Sequence, residues 1–299
     1  MRKVVIIGNG SIGKELRRRI LNLGWGVVAV LNSADYQEGK WKALVADLVF
    51  LAIPSDDGNI ALDYITHFVN QKIPVITCEK GALSKYFDRL QPSLSLIGYD
   101  ATVGGGTKMI SYLKSRVTNE IDEVVGILNG TLNFIFSELA RGKSENEVLK
   151  EVLDNRYAEP GATSFLEIIK MELKDLHKKS VILANLSGVL NTSIIIDGEM
   201  LIDESILINA LNNPKKFRFM FSLDKTFKNN FIAGVQYSVD NWHIQAGIFD
   251  ISNLGLVLPG GVDNGLFIRE NDSVYSLIGP GAGPYATVSA MISNALRFI

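Results

Sequence analysis

The chain has 299 residues, 47% of them apolar and 21% charged, with a net charge of −2 at pH 7. That length can bury two hydrophobic cores, and a nearly balanced charge without a polybasic run excludes the footprint of a nucleic-acid binder. No apolar stretch is long enough to span a bilayer, MRKVVIIGNG has too short an apolar core for a signal peptide, and the single cysteine, Cys78, leaves no internal disulfide framework, so a cytoplasmic, reducing setting is expected.

The first element is the run Val4-Val5-Ile6-Ile7, closed by Gly8. Such continuous apolarity suits a strand buried on both faces of a parallel sheet. A helix is predicted over 12–23, and further strands over 27–31, 48–53 (closed by Pro54) and 75–77, the last placing Cys78 at a packed strand end. Between them, NIALDYITHFVNQ has helical spacing at Ile60, Tyr64 and Phe68. Strands alternating with helices over the first hundred residues predict a doubly wound parallel sheet. After Met109 the rhythm changes. SENEVLKEVL opens with Ser144 and has Glu147 three residues on, a capping box. A long helix is predicted around 171–186, and FIAGVQYSV and NWHIQAGIF, separated by Asp240, alternate as antiparallel strands. A last helix is predicted over 287–298. No internal repeat or flexible linker interrupts the pattern.

GNGSIG (Gly8, Asn9, Gly10, Ser11, Ile12, Gly13) matches G-x-G-x-x-G, directly after a strand and opening a helix. The first glycine permits the turn, the second lets backbone N–H groups approach a pyrophosphate, and the third lets the helix pack on the sheet. Dinucleotide binding on a Rossmann-type domain is the expectation; a tight turn with no ligand is the plainer alternative. The second strand ends VLNSAD, with Asn32 and Ser33 where an acidic residue would bind the ribose 2′-hydroxyl of NAD, and Asp35 a little later. No arginine stands there for a 2′-phosphate, although Lys40 and Lys42 follow. The balance leans slightly to NADP over NAD.

Within MELKDLHKKSVILANL, a wheel of about 100° per residue gathers Ile168, Leu176, Ile182, Leu183 and Leu186 on one side. Lys179 falls in their midst, with Asp175 one turn before it, whereas Lys170, Lys174, His177 and Lys178 fall on the opposite, solvated side. Glu172 is an irregularity on the apolar side. An i,i+4 pair on a wet face is a minor stabiliser. On an apolar face both charges must be desolvated at a cost of about several kcal/mol, which marks Lys179 and Asp175 as functional candidates.

Several stretches together resemble homoserine dehydrogenase. ITCEKGAL (76–83) resembles that family's segment with an Asn-Lys pair, here Glu79-Lys80, and YDATVGGGTKMI (99–110) its E-A-x-V-G-G-G-x-P. GILNGTLNFI (126–135) resembles G-I-L-N-G-T-T-N-Y-I, and YAEPGAT (157–163) resembles G-Y-A-E-P-D-P-T. DLHKKSVILA (175–184) resembles D-A-A-H-K-L-A-I-L-A, and GPGAGPYATVSAMI (279–292) the closing G-x-G-A-G-x-x-T-A-S. The matches run in order along nearly the whole chain.

The resemblance implies an NAD(P)-dependent interconversion of L-homoserine and L-aspartate 4-semialdehyde, in threonine and methionine biosynthesis. It implies that Lys179 exchanges the hydroxyl proton, that Lys80 helps hold cofactor and substrate, and that Glu159 and Asp175 bind the amino acid. Gly283 would touch the cofactor, and the main-chain carbonyls of Asp100, Val103, Gly105 and Thr107 would hold a monovalent cation, Na+ or K+. It also implies a homodimer, and the strand pair over 231–249 could continue a sheet across its interface. The architecture expected is α/β: a Rossmann-type doubly wound parallel sheet over 1–115, to which a terminal helix in 279–299 returns, plus an α+β substrate-binding and dimerisation domain over 116–278. The chain ends soon after that helix, so no regulatory domain and no sigmoidal threonine inhibition are expected.

The departures are specific. Glu79 replaces Asn, Gly161 replaces Asp, Arg156 replaces the Gly before Tyr157, Lys108 replaces Pro, and the stretch from Glu159 to Asp175 is several residues longer than the family pattern. They leave open a related amino-acid or semialdehyde dehydrogenase with an altered substrate loop. The non-enzyme alternative is an NAD(P)-binding sensor without catalysis, against which Lys80, Asp175 and Lys179 stand.

Overall fold

The structure is a computed structural model and describes residues 1–158, 162–196, 198–226 and 230–298. In chain order the first elements are β1 (Lys3–Ile7), α1 (Ser11–Asn22), β2 (Gly26–Leu31), α2 (Ser33–Glu38), β3 (Leu48–Leu51), α3 (Asn59–Asn70), β4 (Val75–Thr77), α4 (Gly81–Lys85), α5 (Phe87–Leu90) and β5 (Ile97–Gly98). Then come α6 (Met109–Lys114), β6 (Ile121–Ile127), α7 (Gly130–Ala140), α8 (Glu145–Asp154), α9 (Phe165–Asn185), α10 (Glu204–Asn212), β7 (Phe217–Asp224), β8 (Phe231–Val239), β9 (Trp242–Asp250), β10 (Asp263–Glu270), β11 (Ser273–Pro280) and α11 (Pro284–Ala295). Two compact units result, residues 1–108 with 283–299, and residues 109–282. The divide falls before α6 rather than after it, and β11 lies wholly in the second unit. No helix among the described residues is long and apolar enough to cross a membrane.

The first unit is a parallel five-stranded sheet in the order β2-β1-β3-β4-β5. Strand β1, flanked by β2 and β3, is buried on both faces, with Val4, Val5 and Ile6 at 0% exposure, which explains the unbroken apolar run. Leu16 and Ile20 of α1 and Val288 and Met291 of α11 pack with Ile6, Phe50 and Ile76 in one core. Cys78 sits at the buried end of β4, and burial pushes its thiol up to about 11, so it is an inert packing residue. The strand order reverses between β1 and β3, and ligands of such sheets bind at the carboxyl ends of those strands. Two boundaries differ from the sequence expectation. Helix α11 begins at Pro284 rather than 287, because proline suits the first helical position after Gly283 (φ 101°). Helix α2 was not expected: Asn32 caps it, its Oδ1 accepting from Ala34 N (2.8 Å) while Asp35 Oδ2 accepts from Asn32 N (2.8 Å).

The second unit carries an antiparallel sheet in the order β11-β10-β6-β7-β9-β8. Alternation puts Val125, Ile127, Met220, Phe249 and Phe267 on one face, under Leu254, Leu256 and Leu258 from the loop after β9. The β8–β9 hairpin turns through Asp240 (φ 52°) and Asn241 (φ 67°), the left-handed pair a two-residue connection requires. Helix α8 starts as its sequence predicts: Glu147 Oε2 accepts from Ser144 N (2.9 Å).

Candidate active site

In the first unit the glycine loop is built by close approach. A Cβ on Gly8 (φ 110°) would lie 2.1 Å from Ala52 O at the end of β3, and one on Gly13 would lie 1.9 Å from Gly8 O. Both positions therefore hold β1, β3 and α1 together. Gly10 differs: a Cβ there meets nothing within 4 Å. It is the N-cap of the 12-residue α1, no side chain caps the helix, and its first turn has no acidic residue. Asn9, Gly10 and Ser11 are exposed, Ile12 is half-buried and Gly13 buried. Backbone N–H groups at an uncapped helix start, reached over a side-chain-free Gly10, fit the pyrophosphate of a dinucleotide.

The other candidates of this unit fall on neighbouring loops. Lys80, half-buried, begins α4, and its N–H donates to Ser55 Oγ (2.9 Å). Glu79, standing where the family pattern has Asn, lies just before the N-cap and accepts from two N–H groups of the first turn, Ala82 N (2.9 Å) and Gly81 N. Gly283 is the N-cap of α11, and a Cβ there would meet open space. Asp100, Val103, Gly105 and Thr107 are all buried on the loop after β5. This loop is tied to α11: Asp100 N donates to Asn294 Oδ1 (2.8 Å), and Asn294 Nδ2 donates to Asp100 Oδ2 (2.5 Å). Among the described residues no group of three or more His, Cys, Asp or Glu could hold a metal ion. Lys108 has φ 55°, which the family's proline could not adopt, and donates to Ser293 Oγ (2.9 Å).

In the second unit the polar centre lies where β6 runs into α7, beside α9. Lys179 Nζ stands 2.6 Å from Asp175 Oδ2, with 12% of the lysine and 24% of the aspartate side chain exposed. It also donates to Leu128 O (3.0 Å), the carbonyl just past β6. The same carbonyl accepts from Asn264 Nδ2 (3.0 Å), a fully buried residue of β10. Asn129 caps α7 through its Oδ1, which accepts from Leu132 N (2.9 Å). Its Nδ2 donates to Asp175 Oδ2 (3.0 Å) and to Glu172 Oε2 (2.6 Å). Thus Asn129, 46 positions away in the chain, fixes the aspartate that faces the lysine. Thr131 Oγ1 donates to Tyr157 O (2.7 Å), fastening the start of the YAEPGAT segment to α7. Glu159 and Gly161 lie outside the described residues. Arg156, in place of the family's glycine, has a left-handed backbone, φ 57°.

Asn129, Asn264 and Glu172 were not among the sequence candidates. The Asn129 signal was an asparagine between an apolar run and a helix start; Asn264 offered none.

The wheel is right for the exposed Lys170 and Lys174, and wrong for His177. That residue is 3% exposed, with the Tyr237 ring of β8 stacked on its own and Tyr237 Oη 2.6 Å from His177 Nε2. Burial pushes the imidazole down to about 4 from 6.5. The proton therefore binds the unfolded chain first. The associated stability is present in full above pH 6.5 and drains away as pH falls towards 4, by about 2–3 kcal/mol at most. His177→Gln should flatten this limb in urea titrations between pH 6.5 and 4; unchanged acid limbs would show that another group dominates.

The family model described as homoserine dehydrogenase matches residues 109–296. Homoserine dehydrogenase of Methanocaldococcus jannaschii is 27% identical over 264 residues, covering 86% of this chain and 74% of that protein. The Bacillus subtilis homoserine dehydrogenase is 31% identical over 246 residues, covering 77% of this chain and 52% of that protein. Thus the chain spans about half the length of the Bacillus relative. Among solved structures, the homoserine dehydrogenase of Thermoplasma acidophilum matches with a TM-score of 0.72 at 17% identity, over 99% of this chain and 98% of that one. A hyperthermophilic archaeal homoserine dehydrogenase mutant in complex with NADPH matches with a TM-score of 0.72 at 17% identity, over 99% and 97%. With the family model covering well over half of it, the chain belongs to the homoserine dehydrogenase family of NAD(P)-dependent oxidoreductases.

Proposed function

We propose that this chain interconverts L-homoserine and L-aspartate 4-semialdehyde with NADP(H), as part of threonine and methionine biosynthesis. The observation that carries the reading is the half-buried Asp175–Lys179 pair, anchored to Leu128 O and Asn129. A surface pair would need neither anchor. A nicotinamide dinucleotide, held by the Gly8–Gly13 loop, Lys80 and Gly283, supplies or accepts the hydride. Lys179, as the neutral amine, takes the hydroxyl proton as the alcohol is oxidised, and as the ammonium it returns that proton to the carbonyl oxygen in the reverse direction. Asp175 keeps the amine of Lys179 aimed, and carboxylates take the substrate ammonium. The buried loop carrying Asp100, Val103, Gly105 and Thr107 is the place for a monovalent cation held by main-chain oxygens.

The test is the absorbance change of NADP+ reduction with L-homoserine as substrate and aspartate as control. Turnover of another amino-acid alcohol in place of homoserine would favour a relative with an altered substrate loop, the reading that Arg156 and Gly161 support. Binding without turnover of any such substrate would favour a sensor.

NADPH should bind at least as tightly as NADH. Asp35, the nearest acid after β2, directs its carboxylate back to Asn32 N in the capping box. The archaeal NADPH complex supports the same choice. Titration of the apo protein with each cofactor measures it, and a tenfold preference for NADH would show that Asp35 leaves its cap for the ribose.

We also propose a homodimer in which the edge strand β8 extends the six-stranded sheet, since edge strands present unpaired backbone groups. Light scattering that returned the mass of one chain would sink this.

A further inference from the structure

We infer that Asn264 is a positioning residue of the reaction: its side-chain amide fixes the carbonyl of Leu128 and, through that carbonyl, the direction in which the amine of Lys179 presents its lone pair. The assignment rests on the homoserine reading above, with Lys179 as the group that moves the proton.

As a neutral amine Lys179 carries two hydrogens and one lone pair, arranged tetrahedrally. Two acceptors claim the hydrogens, Asp175 Oδ2 at 2.6 Å and Leu128 O at 3.0 Å. The lone pair points where those two leave it, and the lone pair takes the hydroxyl proton. That proton becomes the third N–H of the ammonium and leaves along the same line in the reverse direction. Turning either acceptor therefore turns the lone pair. Asp175 is fixed by Asn129 Nδ2 at 3.0 Å. Leu128 lies outside regular structure, after the last residue of β6 and before Asn129, the N-cap of α7. The direction of its carbonyl is set by what donates to it. A carbonyl oxygen has two lone pairs, and here one meets the lysine and the other Asn264 Nδ2, at 3.0 Å.

The surroundings of Asn264 hold the amide still. Its side chain is wholly buried in β10. The carbonyl before it, Asp263 O, accepts from Asn133 Nδ2 of α7 at 3.1 Å. On its other side the amide lies against Gly281, where a Cβ would stand 2.2 Å from Asn264 Oδ1 and 2.6 Å from Nδ2. Yet Oδ1 is buried and has no hydrogen-bond partner among the described residues. A purely structural asparagine uses both ends of its amide, as Asn129 does. A buried acceptor left bare works against folding, and an apolar side chain of the same branched outline would fill the space without that cost. What the amide adds is a single donor, and that donor acts on the carbonyl shared with the lysine.

The experiment measures kcat and KM for L-homoserine, NADPH affinity and melting in wild type, Asn264→Leu, Lys179→Ala and the double variant. Leucine keeps the branched outline and drops both polar atoms, so Asn264→Leu should melt with the wild type or above it. Its kcat should fall roughly 10–100-fold, the cost of about an ångström of misplacement, with KM and NADPH affinity within about threefold. Because Asn264 acts through Lys179, the two losses should not multiply. Beside Lys179→Ala, Asn264→Leu should lower kcat by less than about threefold more. A merely structural asparagine would lower the melting curve and give losses that multiply. Should leucine crowd Gly281, Asn264→Ala runs through the same cycle without overfilling the site; if neither variant folds, the amide serves the fold and the inference falls. Full kcat in a folded variant, or multiplied losses in the double variant, overturns this inference alone. A wild type that does not oxidise homoserine overturns the homoserine reading, and this inference with it.

Discussion

Lys179→Ala should lower kcat for homoserine oxidation by roughly 10²–10⁴-fold, the span of a lost general acid–base, and leave NADPH affinity within about twofold. The side chain is 88% withdrawn from solvent, yet both its contacts are polar, Asp175 Oδ2 at 2.6 Å and Leu128 O at 3.0 Å. An ammonium so held is costly to desolvate and contributes little to folding that an apolar residue would not. Stability should therefore fall by only about 1–2 kcal/mol, since Asp175 loses a charge partner but keeps Asn129 and some water. The control is Lys174→Ala. Lys174 lies on the wet side of the same helix, paired with Glu199 at 2.9 Å, and more than half of each side chain is exposed. Such pairs are worth about 0–1 kcal/mol, and its removal should leave kcat unchanged. Full activity in the Lys179 variant would remove it from the proton-transfer role and return the sensor reading to the front.

What the sequence made legible follows the range of the interactions. The partial burial of Lys179 could be read because helical periodicity is local, and α9 obeys it from Phe165 to Asn185. The Gly8–Gly13 loop could be read because the turn, the approach and the packing all sit within six residues of one strand end. His177 was misplaced for the opposite reason. A wheel assumes one buried face, but Tyr237 arrives from 60 positions away and covers a second. The same limit hid the bridge at Asn129. As a helix cap it is visible in LNGT; as the donor shared by Glu172 and Asp175 it depends on α9 packing beside α7, which no local pattern encodes. Glu172 was visible as a misfit on the apolar side, and the misfit is now explained by its partner. The strands β6, β7, β10 and β11 were missed because short apolar runs do not distinguish strand from buried helix, and Asn264 because nothing in VDNGLF marks a buried amide.

Gly13→Ala and Gly10→Ala should separate folding from cofactor binding. At Gly13 the added carbon would stand 1.9 Å from Gly8 O and 2.8 Å from Gly8 C, both backbone atoms of the loop. Neither can rotate aside, so α1 must lift from the end of β1, and Leu16 and Ile20 with it, out of the core they share with Ile6 and Phe50. Overpacking of this kind costs about 1–3 kcal/mol, and a domain of this size should lose several degrees of Tm per roughly 1–2 kcal/mol. Cofactor affinity should fall more than tenfold in the same variant, because the N–H groups of the first helical turn move with the helix. At Gly10 the added carbon meets no protein atom within 4 Å, and its φ of −76° suits any residue. Gly10→Ala should therefore melt with the wild type. It should nonetheless weaken NADPH, because the methyl group occupies the space through which a pyrophosphate approaches the backbone. Equal NADPH affinity for Gly10→Ala and wild type, measured beside an unchanged melting curve, would mean that this loop is a plain strand-to-helix turn and that the dinucleotide lies elsewhere.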